Sequence, residues 1–231
     1  MEPVIRSHKG LFEPHGASAR LIWLDDNPPT CTMTYLEIDP GRTSPHHIHE
    51  WEHEVYIIEG TGTLVCDGKE YPVKAGDAIY VPPNVDHYTL NSGGPGVLRR
   101  IEVNPLIAAQ SGGAQNDGGE GTGQVPVIRN LADLGLVPGP AQPVISTPEG
   151  ATNYMTAHRC LGGNDNSPMH GHEWEHMGFI LDGSCLLIVE GKEYTVTEGD
   201  AVLVPPHADH KWRAIGANKA AWLVFNPIAR S

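Results

Sequence analysis

The sequence of 231 residues has little positive charge and no long apolar run. Lysine and arginine number 15 against 28 aspartates and glutamates, which gives a formal net charge of −13. Because phosphate binding needs clustered lysine and arginine, this charge argues against a nucleic-acid partner. No apolar run approaches the roughly 20 residues that span a bilayer, and residues 1–6 lack the basic and apolar regions of a signal peptide. We therefore expect a soluble, cytoplasmic protein that binds neither nucleic acid nor a membrane.

Cysteine pairs and helix-forming runs are also scarce. The cysteines are Cys31, Cys66, Cys160 and Cys185. Because none belongs to a C-x-x-C pair, we expect buried or half-buried free thiols rather than metal ligands or disulfides. Runs rich in alanine, leucine, glutamate and lysine are hard to find, whereas glycine (27) and proline (20) are abundant. This balance favours many short strands joined by tight turns.

The clearest positive feature is an internal repeat with a spacing of 123 residues. The segment His47-Ile-His49-Glu-Trp-Glu-His53 returns as His170-Gly-His172-Glu-Trp-Glu-His176. Further matches at this spacing are Val4–Arg6 with Val127–Arg129, Gly60 with Gly183, Gly68–Tyr71 with Gly191–Tyr194, Gly76–Ala78 with Gly199–Ala201, Val81–Pro83 with Val204–Pro206, and His87 with His210. So many matches at one spacing indicate duplication of a whole domain. We predict an N-terminal domain at residues 1–107, a Gly-rich flexible linker at 108–124 and a C-terminal domain at 125–231.

Within each repeat the local signals are those of β-strands. Residues 61–66 and 69–73 flank Asp67-Gly68, whose glycine supplies the positive φ of a hairpin turn. The second repeat has the same arrangement around Glu190-Gly191. Residues 78–81 and 201–204 are short apolar strands that end at Pro-Pro, which cannot continue a ladder. Several short strands at such spacing predict a sandwich or a barrel in each half.

Eight of the 13 histidines fall in two copies of one pattern. On a strand, His47 and His49 would project from one face with Cα atoms about 6.6–6.8 Å apart. Two imidazoles at that separation can bind one ion with metal–nitrogen distances of about 2.0–2.1 Å. His53 can return from the neighbouring strand, and His87 enters the next strand after a Pro-Pro turn. The predicted metal ligands are His47, His49, His53 and His87 in the first half, and His170, His172, His176 and His210 in the second.

Both halves resemble the cupin superfamily. The residues that match its two motifs are Gly41, His47, His49, Gly60, Gly76, Pro82, His87 and Asn91 in the first half, and His170, His172, Gly183, Gly199, Pro205 and His210 in the second. The glutamate ligand of the first motif is replaced by His53 and His176, as in the small four-histidine cupins. Asn84 and His207 stand where the second motif has a glycine. The resemblance implies an all-β fold, a tandem pair of cupin barrels of the double-stranded β-helix or jelly-roll type.

The predicted ligand set indicates what such a protein can do. Four neutral imidazoles leave the +2 charge of an ion uncompensated, which suits a bidentate anion such as an enolate, a carboxylate or a deprotonated phenol. Imidazole ligation fits Fe, Ni, Cu and Zn, and the resemblance adds Mn, with one ion per domain. Our first hypothesis is a dioxygenase-type oxidoreductase that acts on a small metal-chelating organic substrate. The alternatives are a redox-neutral isomerase, lyase or cyclase, and a non-catalytic protein that binds a small molecule or a metal.

Without a glutamate ligand, proton transfer requires another group. By position, the candidate catalytic residues are Glu52, Glu54 and Glu175, besides substrate-bound water. The alternative, which we favour, is that glutamates near the histidines support them by hydrogen-bonding the second ring nitrogen; these are Glu50, Glu52, Glu173 and Glu175. Trp51 and Trp174 are predicted to be packing residues at the barrel mouths rather than substrate platforms. Because cupins often associate through sheet edges, a homo-oligomer is a further expectation; the alternative is a monomer that satisfies this tendency by packing its two halves together.

Overall fold

Nearly all of the regular structure is β-strand in the computed structural model, which describes residues 2–11, 18–111, 122–217 and 219–228. The strands of the first half are β1 Val4–Ser7, β2 Ser18–Ile22, β3 Cys31–Ile38, β4 His53–Glu59, β5 Thr61–Cys66, β6 Lys69–Lys74, β7 Asp77–Val81, β8 His87–Leu90 and β9 Leu98–Pro105. Those of the second half are β10 Val127–Asn130, β11 Gly139–Ile145, β12 Tyr154–Leu161, β13 His176–Asp182, β14 Ser184–Val189, β15 Lys192–Thr197, β16 Asp200–Val204, β17 His210–Ala214 and β18 Ala220–Pro227. Short 3-10 helices occupy Leu24–Asp26, Leu131–Leu134 and Thr147–Glu149. The all-β prediction is confirmed.

A six-stranded and a three-stranded antiparallel sheet form each barrel. The first barrel has the strand orders β10-β7-β4-β9-β3-β2 and β6-β5-β8, and the second has β1-β16-β13-β18-β12-β11 and β15-β14-β17. Apolar side chains from both sheets meet in one core per barrel, such as Ile57 with Leu64 in the first and Ile180 with Leu187 in the second. All four cysteines are free and buried, as predicted.

The two barrels exchange their first strands. β1 pairs with β16 of the second barrel, where Val4 lies opposite Leu203. β10 pairs with β7 of the first barrel, where Val127 lies opposite Tyr80. Each short strand thus covers a sheet edge that belongs to the other repeat. The division into residues 1–107 and 125–231 follows the repeat along the chain, and it stays a prediction because the sheets share strands across it.

The six-stranded sheets pack on each other through a shared core. Met33 and Tyr35 of β3 and Phe179 of β13 belong to it, and each is at most 1% exposed. Because side chains alternate along a strand, the odd-numbered residues of β3 face the other barrel. Full burial of a large apolar side chain stabilises the folded state by about 1.5–3 kcal/mol. The shared core therefore stabilises the folded state of both barrels together.

The predicted hairpin turns are confirmed. Between β5 and β6, Asp67 has a φ of 46° and Gly68 a φ of 71°. Between β14 and β15, Glu190 has a φ of 49° and Gly191 a φ of 77°. Positive φ at both central residues is the property of a type I′ turn, whose twist matches that of the flanking strands.

A short helix, α1 Leu106–Gln110, follows the last strand of the first repeat. It extends three residues into the predicted linker 108–124, while residues 112–121 of that linker lie outside the described residues. Of the helices in the described ranges, none is long and apolar enough to cross a membrane.

Candidate metal centres

Four histidines converge inside the first barrel, and we call this group the first centre. His53 begins β4, His87 begins β8, and the other two, His47 and His49, lie in the loop between β3 and β4. One donor atom of each lies within 4.8 Å of those of the other three. His47 and His87 exchange backbone hydrogen bonds of 3.2 and 3.0 Å, and their ring centroids are 4.4 Å apart.

The second barrel repeats this arrangement as the second centre, which consists of His170, His172, His176 and His210. Its donor atoms also lie within 4.8 Å of one another. His170 and His210 exchange backbone hydrogen bonds of 3.1 and 2.8 Å. His172 and His176 are half-buried, whereas their counterparts His49 and His53 are buried. The structure thus brings together all eight predicted ligands, and the histidine side chains of the second centre are the more exposed.

The H-x-H segments differ from the prediction, because they lie in loops and not on strands. Among the described residues they take part only in isolated β-bridges, such as those between His47 and His87 and between His170 and His210. Pro45 and Pro168 precede these bridges, and a proline cannot donate a ladder hydrogen bond. A single bridge is nevertheless sufficient to place each ring beside its partner.

Backbone carbonyls fix the orientation of five imidazoles, two in the first centre and three in the second, where His172 Nδ1 lies 2.6 Å from the carbonyl oxygen of Trp174. His47 Nδ1 lies 2.9 Å from the carbonyl oxygen of Pro45, and His87 Nδ1 lies 2.7 Å from that of Val85. In the second centre, the Nδ1 atoms of His170 and His210 make the same contacts at 2.9 and 2.8 Å. Because a carbonyl oxygen only accepts, each Nδ1 must carry the proton, which leaves the lone pair of Nε2 free for a metal ion.

The remaining nitrogens also fit a bound cation. Buried Nε2 atoms without a hydrogen-bond partner occur in His49, His53, His87, His172 and His210. Buried polar atoms are normally hydrogen-bonded, and each exception requires an explanation. A divalent transition metal that accepts these lone pairs satisfies them all at once, so the donor sets fit such an ion in both centres.

Burial keeps several of these imidazoles neutral. It lowers the pKa of His49 to about 3, with the charges of His53 and His47 acting in the same direction. Burial and the charge of His210 likewise lower the pKa of His176 to about 3. The pKa of His87 is lowered as well, mainly by burial. Neutral histidine is the form that binds metal, so these ligands need not lose a proton near neutral pH.

Each centre has one tryptophan stacked on a ligand. The ring centroids of Trp51 and His49 are 4.6 Å apart with 5° between the planes, and those of Trp174 and His172 are 4.2 Å apart with the same angle. The stacking holds the imidazoles from their outer faces. Trp51 is half-buried and Trp174 is 46% exposed, so packing of these tryptophans at the barrel mouths stays a prediction.

The three predicted catalytic glutamates contact the other half of the chain or lie near it. Glu52 is 3% exposed and accepts hydrogen bonds from the backbone amides of Thr152 and Asn153 at 3.0 and 2.9 Å. Burial opposes ionisation of Glu52, but these bonds outweigh it and lower its pKa. Glu175 is 1% exposed, and its Oε1 has no hydrogen-bond partner among the described residues.

Glu54 lies on the face of β4 opposite to the ligand His53, because successive side chains alternate along a strand. Its carboxyl group accepts a hydrogen bond from Thr156, and its backbone amide donates to the hydroxyl of Tyr154 at 3.2 Å. Burial raises the pKa of Glu54 well above its usual value. The placement of Glu54 does not support the proposed proton transfer in the first centre, and a catalytic role for any of the three glutamates stays a prediction.

The groups behind the ligands differ between the centres, and the sequence analysis missed them. Glu102 lies 3.6 Å from Nδ1 of His53 and accepts a 2.8 Å hydrogen bond from Arg100. Burial opposes its ionisation, but the charges of His53 and Arg100 hold the pKa of Glu102 well below its usual value. In β18 of the second barrel, Trp222 stands at the position of Arg100 and Val224 at the position of Glu102. The signal for these residues lies in the positions at which the two repeats differ, where Arg100 and Glu102 are replaced by Trp222 and Val224.

The two centres also border different cavities. His49 and Trp51 line a cleft of about 960 Å³ between the barrels, which α1 and residues of both halves complete. His170 and His176 line a cavity of about 80 Å³ inside the second barrel. The first centre therefore opens onto a wide cleft, and the second onto a small cavity.

Comparison with known proteins supports this architecture. The family described as cupin domain matches residues 34–102 and 158–226. The oxalate-binding protein of Thermotoga maritima is 36% identical over 59 residues, which are 25% of this chain and 49% of that protein. The chain spans less than half the length of the curated relatives that it matches.

Solved structures resemble the whole chain. Salicylate 1,2-dioxygenase from Pseudoaminobacter salicylatoxidans in adducts with gentisate has a TM-score of 0.73 and 13% identity, over 97% of this chain and 81% of that one. A variant of Bacillus subtilis oxalate decarboxylase has a TM-score of 0.72 and 15% identity, over 96% and 76%. At such low identity these likenesses show the shared fold alone.

Proposed function

Because the chain belongs to the cupin domain family and carries two such domains in tandem, we propose that it is a metal-dependent enzyme of the dioxygenase type that acts on a small, metal-chelating organic substrate. The observation that carries this proposal is the pair of four-imidazole clusters, each with donor atoms within 4.8 Å. A barrel that served only as a scaffold would not need two such clusters. The buried, unpartnered Nε2 atoms are the second support.

The ion that each cluster would hold is Mn, Fe, Ni, Cu or Zn. Bacillus subtilis oxalate decarboxylase, one of the similar solved structures, has Mn(II) centres, which supports manganese among these metals. When bound, a redox-active ion supplies a site where a chelating substrate and dioxygen react together. Four neutral ligands leave its charge for the substrate to balance, which favours an anionic, bidentate substrate.

The residues of the chain position this chemistry. Carbonyl contacts on Nδ1 of His47, His87, His170 and His210 fix the rings before an ion arrives. Ligands that are already oriented bind an ion without a large loss of side-chain freedom. Trp51 and Trp174 each cover one face of an imidazole in their centre.

Two other functions have support from particular relatives. Oxalate decarboxylase among the similar structures favours the redox-neutral alternative, and the oxalate-binding protein favours a protein that binds without turnover. Both need the same metal centres, so metal content does not distinguish them from a dioxygenase. Oxygen dependence of product formation does.

The test starts with the metal content of the untagged protein, measured by elemental mass spectrometry. We expect close to two ions per chain, one for each cluster, and about half in each of the variants His47→Ala/His49→Ala and His170→Ala/His172→Ala. Little metal after reconstitution, or a content that neither variant changes, contradicts the proposal.

Oxygen uptake with a panel of phenols, flavonols and β-diketones follows on the loaded protein. Uptake that requires the substrate supports the dioxygenase. Product formed in the absence of oxygen selects the redox-neutral enzyme, and retention of the ligand without turnover selects the binding protein.

A further inference from the structure

The second barrel contains a small cavity directly beside its candidate ligands. The cavity has a volume of about 80 Å³, and its lining includes His170, His176, Trp212, Trp222 and Arg159. In the first barrel, buried polar side chains occupy the position that corresponds to this cavity. There, Arg100 donates to Thr89 at 3.1 Å and to Glu102 at 2.8 Å, and both Arg100 and Thr89 are buried.

A few differences between the repeats create this cavity. Gly178 stands in β13 where β4 has the buried Val55, and a Cβ atom at Gly178 would lie 3.7 Å from the Trp222 ring and 3.1 Å from the carbonyl oxygen of Leu223. The missing side chain therefore leaves room in front of the indole. Trp222 itself lies in β18 opposite Arg159 of β12, so the guanidinium and the ring share the inner face.

Two tryptophans form an apolar wall of the cavity. The ring centroids of Trp212 and Trp222 are 4.8 Å apart, and their planes are 29° apart. Both indoles are at most 5% exposed. A wall of aromatic rings favours a flat ligand, because such a ligand can cover an exposed ring face and exclude water from it.

Arg159 is a cation without a matching charge. It is half-buried, its Nε has no hydrogen-bond partner, and it forms no ion pair with any described residue. Arg100 of the first barrel is in contrast paired with Glu102 at 2.8 Å. An anion that enters the cavity can accept hydrogen bonds from this guanidinium, and such charge-assisted bonds are among the strong ones.

The volume limits the size of that anion. A water molecule needs about 10–15 Å³ of cavity volume, so a cavity of 80 Å³ holds roughly five to eight waters. A ligand of about that many non-hydrogen atoms fits, which corresponds to a carboxylic acid of two or three carbons with one further oxygen.

We propose that the second centre is the substrate site, and that its substrate is a small flat carboxylic acid with an oxygen donor next to the carboxylate. Arg159 binds the carboxylate, Trp212 and Trp222 pack against the flat body, and the adjacent oxygen lies beside His170 and His176. This inference rests on the proposed function, since it requires a metal ion at the second centre. It also separates the tasks of the two centres, because the first opens onto the wide cleft and not onto a cavity of this size.

The test measures binding of pyruvate, glyoxylate and glycolate to the metal-loaded protein by isothermal titration calorimetry. Pyruvamide serves as the neutral analogue of pyruvate with nearly the same shape. Hydrogen bonds to a charged group contribute about 1.5–3 kcal/mol, so Arg159→Met is expected to weaken binding of the acids by roughly 10- to 100-fold. Arg159→Lys retains most of the affinity, and wild-type protein discriminates against pyruvamide by a similar factor.

Two controls keep the result specific. Arg213→Met removes an exposed arginine of the same barrel, which pairs with Glu193 at 3.1 Å, and it should leave the affinity unchanged. The metal content of Arg159→Met should equal that of wild type, which separates loss of the acid site from loss of the centre. If wild-type protein binds little metal even after reconstitution, the proposed function itself is refuted.

With the metal in place, three outcomes overturn the inference. None of the three acids binds to wild type, or Arg159→Met binds them as tightly as wild type does. The third is that binding disappears in His47→Ala/His49→Ala and persists in His170→Ala/His172→Ala, which would place the acid at the first centre.

Discussion

Replacement of Glu52 by glutamine is expected to destabilise the protein without removing its metal. The Glu52 carboxylate lies in the first half and accepts hydrogen bonds from the amides of Thr152 and Asn153 in the second half at 3.0 and 2.9 Å. The Asn153 side chain and the Thr152 hydroxyl add further bonds of 2.9–3.1 Å. Glu52 thus connects the halves at a buried position beside the candidate ligand His53.

The size of the effect follows from the loss of charge. A hydrogen bond to a charged group contributes about 1.5–3 kcal/mol, and a neutral one about 0.5–1.5 kcal/mol. Glutamine keeps one acceptor oxygen for the two backbone amides, so about 1–1.5 kcal/mol is lost for each. The free energy of unfolding should therefore fall by about 2–3 kcal/mol. With a urea m-value of about 3 kcal/mol/M, the midpoint falls by roughly 0.7–1 M.

The assay is urea unfolding at pH 7, followed by tryptophan fluorescence and by far-UV circular dichroism, with metal content measured in parallel. Glu50→Gln is the matched control, because Glu50 is an exposed neighbour two residues away and should leave the midpoint unchanged. An unchanged midpoint for Glu52→Gln, combined with a large loss of turnover, would refute the structural role and restore Glu52 as a proton-transfer candidate.

Three further predictions concern acidity and topology. Burial raises the pKa of Glu54, so the folded chain holds a proton that the unfolded chain releases above about pH 4.5; Glu54→Gln should therefore be more stable than wild type at pH 8 and similar at pH 5 in urea unfolding. In the presence of a chelator, the wild-type midpoint should fall between pH 7 and pH 5, because the folded pKa values of His49 and His176 are near 3 while unfolded histidines gain protons below about 6.5; a flat profile contradicts this. Deletion of residues 1–7 should speed amide hydrogen exchange in β16 and not in β7, and equal exchange in both strands argues against the strand exchange.

Much of the architecture could be predicted from the repeat. Each matched segment carries the reason for its own structure: Asp67-Gly68 forms the turn that its glycine permits, and the strand that ends at Pro82 stops where a ladder donor is missing. The two clusters of candidate ligands could be predicted because metal binding favours histidine at fixed spacings. These are local constraints, and a local pattern contains them.

The strand exchange could not be predicted by the same means. Val4–Arg6 and Val127–Arg129 have identical residues, so each short segment fits the edge of either six-stranded sheet. Which edge it covers depends on the path of the preceding or following chain and on the packing of the two barrels. Neither quantity is contained in four residues of β pattern.

The direction in which the Glu54 side chain points could have been predicted from the sequence. His53 begins a strand and points into the barrel, so the side chain of Glu54 must point out of it, toward the other half. Glu52, Glu54 and Glu175 were all candidates because each lies close to the histidines along the chain. Proximity along a strand is misleading, since adjacent residues face opposite sides.

Strand alternation also explains how the two centres can differ inside one rigid frame. On β9 and β18, the residues that face the shared core are apolar in both repeats, Ile101 and Val103 in one and Leu223 and Phe225 in the other. The intervening residues face the barrel interiors, and there Arg100 of the first repeat is replaced by Trp222 in the second. A substitution on the inner face changes what surrounds a metal ligand without altering the contact between the barrels. Because the two faces are independent, one duplicated strand can keep the barrels together while it gives each centre a different chemistry.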